Sequence, residues 1–161
     1  KKMLARLQKF FTIDHSSRIG IERAKRILNS DQLGLQSFIL CANRDKSHLK
    51  EAIATAEAIS TIFNKKQFMI NINLDYVNSA KWCIDNIYNQ IDKIKNDFSI
   101  IYFESTNLDF LQNEDTMKQI IYLAKTIRKF EMKLILLLPI YDQGDLKELQ
   151  NFSENFIFIN F

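Results

Sequence analysis

Short runs of consecutive apolar residues alternate along this chain with longer stretches in which apolar positions recur every three or four residues. The first pattern predicts strands covered on both faces, and the second predicts amphipathic helices. "SRIGIERAKRILNS" (17–30) sets Ile19, Ala24, Ile27 and Leu28 on one helical face. A strand follows at "SFILCA" (37–42), then a helix over 46–64. "QFMININL" (67–74) reads as a strand and "SAKWCIDNIYNQIDKIKN" (79–96) as one helix. The alternation continues with strand 98–105, helix 114–131, strand 133–140, helix 144–152 and strand 155–161. Five near-continuous apolar strands separated by helices imply a three-layer α/β/α domain around a mainly parallel sheet, joined by right-handed crossovers. The first ten residues, "KKMLARLQKF", are basic and amphipathic, and 1–12 is expected to form a helical extension ahead of the domain.

Composition narrows this picture. The chain has 161 residues, enough for one domain with a proper core, and is 47% hydrophobic and 25% charged. A net charge of +3 from 22 basic and 19 acidic residues, with no dense basic run, points away from nucleic acid. The longest apolar run, "LILLLPI" (134–140), is far too short to span a bilayer, so no membrane partner is expected. Cys41 and Cys83 share no CxxC spacing and read as reduced, buried thiols in preference to a single disulfide. His15 and His48 stand apart without metal-ligand spacing. Only three glycines and one proline are present, so few sites let a ligand approach the backbone closely.

In sheets of this kind ligands sit at the carboxyl ends of the strands. The segments that carry chemistry are therefore 42–47, 75–82, 104–110 and 140–145. Taken in order, "IERAKRIL" (21–28), "FILCANRDKSHLKEAI" (38–53), "NLDYVNSAKW" (73–82), "IIYFESTNLDF" (100–110), "LILLLPIYDQGDLKEL" (134–149) and "ENFIFINF" (154–161) resemble the first ATPase domain of the Clp unfoldases, ring-forming AAA+ chaperones. The resemblance covers 13–161 in unbroken order and implies the large subdomain of a P-loop NTPase-like fold, without the helical lid that follows it in that family.

Each departure from the family falls on catalytic chemistry. A phosphate loop of the form G-x-x-x-x-G-K-[ST] wraps oxygens with successive N–H groups that its glycines leave accessible. "CANRDKS" (41–47) has no glycine, is one residue shorter, and sets Asp45 beside Lys46. Lys46 and Ser47 fall on the Lys and Ser/Thr of the motif, but they serve equally well to open a helix, with Asp45 or Ser47 as N-cap. The strand that should end in two carboxylates ends in Glu104 and Ser105, and Ser105 cannot act as the base. Ile140 and Tyr141 meet the position of a polar sensor, and Glu154 and Asn155 that of an arginine finger. The resemblance therefore implies a domain without ATP hydrolysis, with ATP and Mg²⁺ binding lost.

"SAKW" (79–82) matches the family's central-pore loop, where an aromatic beside a basic residue grips extended polypeptide. Lys81 and Trp82 would bind substrate in that way, although Ile84 replaces a glycine; Trp82 as a core aromatic at a helix start is the competing reading. The implied partners are neighbouring AAA+ subunits or domains of a Clp-type ring, unfolded polypeptide and a Clp-type protease. The implied compartment is a bacterial cytoplasm or a plastid-type organelle lumen. An alternative sets 67–161 as a STAS-like regulatory, partner-binding domain switched by phosphorylation, with Ser105 and Thr106 as the nearest hydroxyls. A third pairs Glu104 with Asp142 as strand-end carboxylates of a sugar hydrolase.

Overall fold

A computed structural model describes residues 7–9, 18–31, 36–43, 46–63, 68–75, 77–140 and 143–161. Its strands are β1 (Leu7–Lys9), β2 (Ser37–Asn43), β3 (Phe68–Asn73), β4 (Phe98–Glu104), β5 (Lys133–Ile140) and β6 (Phe156–Asn160). Its helices are α1 (Arg18–Ser30), α2 (Lys46–Phe63), α3 (Val77–Asn89), α4 (Ile91–Asp97), α5 (Glu114–Arg128) and α6 (Gln143–Glu148). Short 3₁₀ turns cover Asp109–Gln112 and Leu149–Phe152. The five strands expected from the apolar runs are all present. The single helix expected over 79–96 is instead two, broken at Gln90, whose φ of −117° leaves the helical region.

The sheet order is β1-β3-β4-β5-β2-β6. All neighbours from β3 to β6 run parallel, and only β1 is antiparallel, with Leu7 opposite Ile70 and Lys9 opposite Phe68. The helix expected over 1–12 is thus corrected at 7–9, where the backbone completes the edge of β3. A short helix with no partner gains little in water, whereas an open strand edge offers ready hydrogen bonds.

Strand alternation divides the core in two. Ile39 and Cys41 of β2, Ile101 and Phe103 of β4, and Leu134, Leu136 and Leu138 of β5 are buried with Ile84 and Ile87 of α3 and Ile120, Leu123 and Ile127 of α5. The alternate residues, Phe38 and Leu40, Ile100 and Tyr102, Ile135 and Leu137, are buried on the opposite face with Ala24 and Ile27 of α1 and Ala52, Ala56 and Ile59 of α2. α5 is the best-marked helix. Asn113 caps it by accepting a hydrogen bond from the Thr116 N–H at 3.1 Å, Glu114 and Asp115 fill its first turn, and Lys125 and Arg128 its last.

A buried ion pair closes the amino-terminal end of the sheet. Lys133 is 1% exposed; its ammonium donates to Asp31 at 2.5 Å and to the Gln36 carbonyl at 2.7 Å, and sits 5.0 Å from the centroid of the Phe38 ring. The pair ties the end of α1 to the starts of β2 and β5. Removing one partner strands the other charge in the core, at a cost of about 3–5 kcal/mol.

Both cysteines are buried, and neither is in a disulfide. Burial pushes the Cys41 thiol up to about 12, which leaves it inert at neutral pH. No helix of the described residues is long and apolar enough to cross a membrane.

Candidate site at the carboxyl ends of the strands

The strand order brings distant segments to one edge. β2 and β5 are neighbours, with Asn43 opposite Ile140, and β4 lies beside β5 with Glu104 opposite Leu137. The chain leaves β2 into α2 on one face. It leaves β5 toward the other face, where Leu149 and Phe152 are buried with the α5 side of the core. Neighbouring strands whose exits diverge open a crevice at their carboxyl ends, the usual ligand position in such sheets. A cavity of about 450 Å³ lies there, lined by Ala42, Asn43, Leu49, Ile53, Asn73, Glu104, Ser105, Thr106, Leu137 and Pro139.

The most ordered chemistry at this edge is a cluster absent from the sequence reading. Asp75, just past β3, accepts from the Ser105 hydroxyl at 2.8 Å, the Thr106 N–H at 2.7 Å and the Thr106 hydroxyl at 2.9 Å. Its own N–H donates to Asn73 Oδ1 at 2.7 Å, a tight turn of the Asx kind. Partial burial pushes the Asp75 carboxyl up, but the hydrogen bonds from Ser105 and Thr106 outweigh it and hold the group below the usual carboxylate range. Glu104 behaves oppositely. Desolvation, reinforced by the charge of Asp75, raises its carboxyl above the ordinary value. The two carboxylates thus differ in protonation tendency. The signal for Asp75 was available in "NLDY", where two Asx residues follow an apolar strand, but nothing in the spacing tied it to Ser105, thirty residues away.

The expected site residues are only partly gathered. Lys46 and Ser47 are the first two residues of α2, which rules out Ser47 as N-cap; Arg44 and Asp45 lie outside the described residues. Glu104 ends β4 and lines the cavity, and Ser105 follows with its hydroxyl engaged by Asp75. Among the described residues no group of three or more His, Cys, Asp or Glu is placed to hold a metal ion. Tyr141 and Asp142 lie outside the described residues, so the Glu104–Asp142 pairing has no geometry to rest on. His15 lies outside them as well.

Lys81 and Trp82 fall inside α3 and not in a loop. Ile84, at the position of the family's glycine, is 0% exposed and anchors the helix, while Trp82 is 46% exposed. The Trp82 carbonyl accepts from Asn86 Nδ2 at 2.8 Å, a further brace on the helix. Trp82 is therefore no core aromatic; it presents its indole to solvent from a rigid element.

A five-stranded parallel core with strand order β3-β4-β5-β2-β6, flanked by helices on both faces, defines an α/β fold of the P-loop NTPase-like, AAA+ type. Solved structures share it. The chain is similar to Rhizobiales Trip13 with a TM-score of 0.55 at 7% identity, over 96% of this chain and 68% of that one. It also matches AMPPCP-bound DnaA from Aquifex aeolicus (TM-score 0.49, 15% identity, 93% of this chain and 48% of that one) and Drosophila ORC bound to DNA (TM-score 0.47, 14% identity, 88% and 91%). The chain spans about half the length of the DnaA chains it matches. No protein-family model and no curated protein matches it.

These matches correct one expectation. Nucleic acid was excluded on charge, yet the structures that the chain is similar to include a DnaA bound to single-stranded DNA and an ORC bound to DNA. The exclusion is withdrawn. A near-neutral total charge says little about the local patches that meet a phosphate backbone.

Proposed function

We propose that the chain is a non-catalytic AAA+ module of a Clp-type protein unfoldase. It contributes packing surface to a ring and presents Lys81 and Trp82 to extended polypeptide. Force from an active ATPase domain elsewhere is carried through its rigid sheet and helices. Its compartment is a bacterial cytoplasm or a plastid-type organelle lumen.

The observation that carries this reading is the state of the strand end. The residue after Glu104 is a serine whose hydroxyl is shared between Asp75 at 2.8 Å and the Asn107 carbonyl at 2.5 Å, where hydrolysis calls for a second carboxylate facing water. The join from β2 to α2 supports it, because "CANRDKS" (41–47) contains no glycine whose bare backbone could wrap phosphates. Trp82 supports the gripping role: a flat apolar face standing out from a helix contacts any chain irrespective of sequence, with Lys81 beside it.

The test is a titration with a fluorescent ATP analogue and Mg²⁺, followed by phosphate release. The expected result is no saturable binding at micromolar concentrations and no turnover. Saturable binding with turnover refutes the reading.

The STAS-like alternative loses its footing in the topology. β6 joins the sheet through β2 alone, with Phe38 opposite Ile157 and Leu40 opposite Ile159. Residues 67–161 without β2 would leave β6 detached from β5, so they do not form a unit.

A further inference from the structure

The cavity beside α2 has walls of two kinds. Leu49, Ile53, Leu137 and Pro139 supply apolar surface, and Leu49 and Ile53 are 40% and 38% exposed, more than apolar residues on a packed helix usually are. The polar part is largely committed within the fold. Ser105 and Thr106 donate their hydroxyls to Asp75, and Asn73 Oδ1 takes the Asp75 N–H. Glu104 is different: its carboxylate has no hydrogen-bond or ion-pair partner among the described residues. Among the described residues, none of those that line the cavity is a Lys, Arg or His.

Each class of guest meets these walls differently. An anion would be repelled by Glu104 and by the Asp75 carboxylate just behind the lining. A neutral apolar guest would fill the space but desolvate Glu104 further without a partner. A cation carried on an aliphatic stem satisfies both parts, with methylenes against the apolar wall and N–H donors on the carboxylate. The volume, about 450 Å³, lies within the range of ligand pockets. We infer that this cavity binds an alkylammonium or alkylguanidinium group, its stem packed on Leu49 and Ile53 and its charge paired with Glu104. The inference rests on the non-catalytic reading, because a working nucleotide site would use the same strand ends for phosphate. The raised carboxyl of Glu104 agrees with it, since a bound cation relieves the condition that raises it.

Agmatine, a guanidinium on a short alkyl stem, is the probe, titrated into the protein by calorimetry with NMR mapping of the site. Saturable binding is expected with a Kd on the order of 1 mM, in reach of so small a ligand. Resonances of Leu49, Ile53 and Glu104 should shift, and butyrate should produce neither effect. Glu104→Gln should weaken agmatine by at least about tenfold. Ile53→Lys, which sets an ammonium of its own in the cavity, should abolish binding. Circular dichroism and Tm verify that both variants fold. A capped arginine peptide distinguishes the source: tighter binding than agmatine assigns the cation to a polypeptide side chain, weaker binding assigns it to a free amine, and either supports the shared chemistry. Failure of both probes to saturate, equal binding to Glu104→Gln, or equal binding of butyrate overturns the inference. ATP with Mg²⁺ is titrated in parallel. Binding with turnover would refute the non-catalytic reading, whereas failure of agmatine and of ATP alike would refute the cation site alone.

Discussion

Asp75 and Glu104 sit at one edge of the sheet and respond to pH in opposite senses. Asp75 is held below 3.8 in the folded protein, so its contribution is complete above that pH and is lost as pH falls through the folded value. Glu104 is held above 4.5, so the folded state binds its proton more tightly than the unfolded one, and its penalty is relieved as pH falls from neutral toward 4.5. Asp75→Asn is expected to destabilise the protein by about 1 kcal/mol at neutral pH, a value discounted because Asp75 is only partly buried. The difference should begin to shrink as pH falls below about 3.8 and close only below the lowered folded value, read from urea unfolding of both proteins across pH. The same substitution removes the charge that helps raise Glu104, so the Glu104 carboxyl should titrate lower, which side-chain NMR shifts would follow.

α1 and α2 meet over a glycine. A Cβ on Gly20 would stand 3.2 Å from the Ala54 carbonyl carbon and oxygen and 3.3 Å from the Ala54 Cβ. Two of those three atoms are helix backbone and cannot rotate aside. Gly20→Val should therefore force the helices apart and cost about 2–3 kcal/mol, measured as a drop in the urea midpoint with unchanged slope. This contact lay beyond sequence reasoning, because a helical period shows which face is buried but not how near the next helix comes. The five parallel strands were legible, since a continuous apolar run such as "LILLLPI" (134–140) fits little else between turn residues, whereas β1, in a basic amphipathic stretch, read as helix. The break at Gln90 was not legible: apolar positions keep helical spacing on both sides of it, and only the backbone shows the change of direction. Glu104 and Trp82 could be singled out as candidates because a strand end and a lone Trp stand out in one dimension. Asp75, Leu49 and Ile53 could not, since their significance comes from what the sheet order sets beside them.

At the scale of the molecule, β2 holds the sheet together. It is flanked by β5 and β6, and its Ser37 hydroxyl accepts the Leu134 N–H from 97 residues away. The ion pair between Asp31 and Lys133 spans 102 residues at the same end. A fragment ending at Asp97 keeps β2 and β3, which are not neighbours in the order β3-β4-β5-β2. It should show amide exchange without protection in β2, while the whole chain protects those amides most strongly.

Vectorial synthesis turns this arrangement into an exposure problem. As the polypeptide leaves the ribosome, the second strand, apolar on both sides over Phe38–Ala42, emerges about 90 residues ahead of its first ladder partner, β5. At usual elongation rates of about 5–20 residues per second, that nascent segment waits several seconds with its hydrogen-bonding edges bare. A holdase that shields nascent hydrophobic segments should therefore raise the yield of this protein more than that of a fold whose consecutive strands pair as they appear.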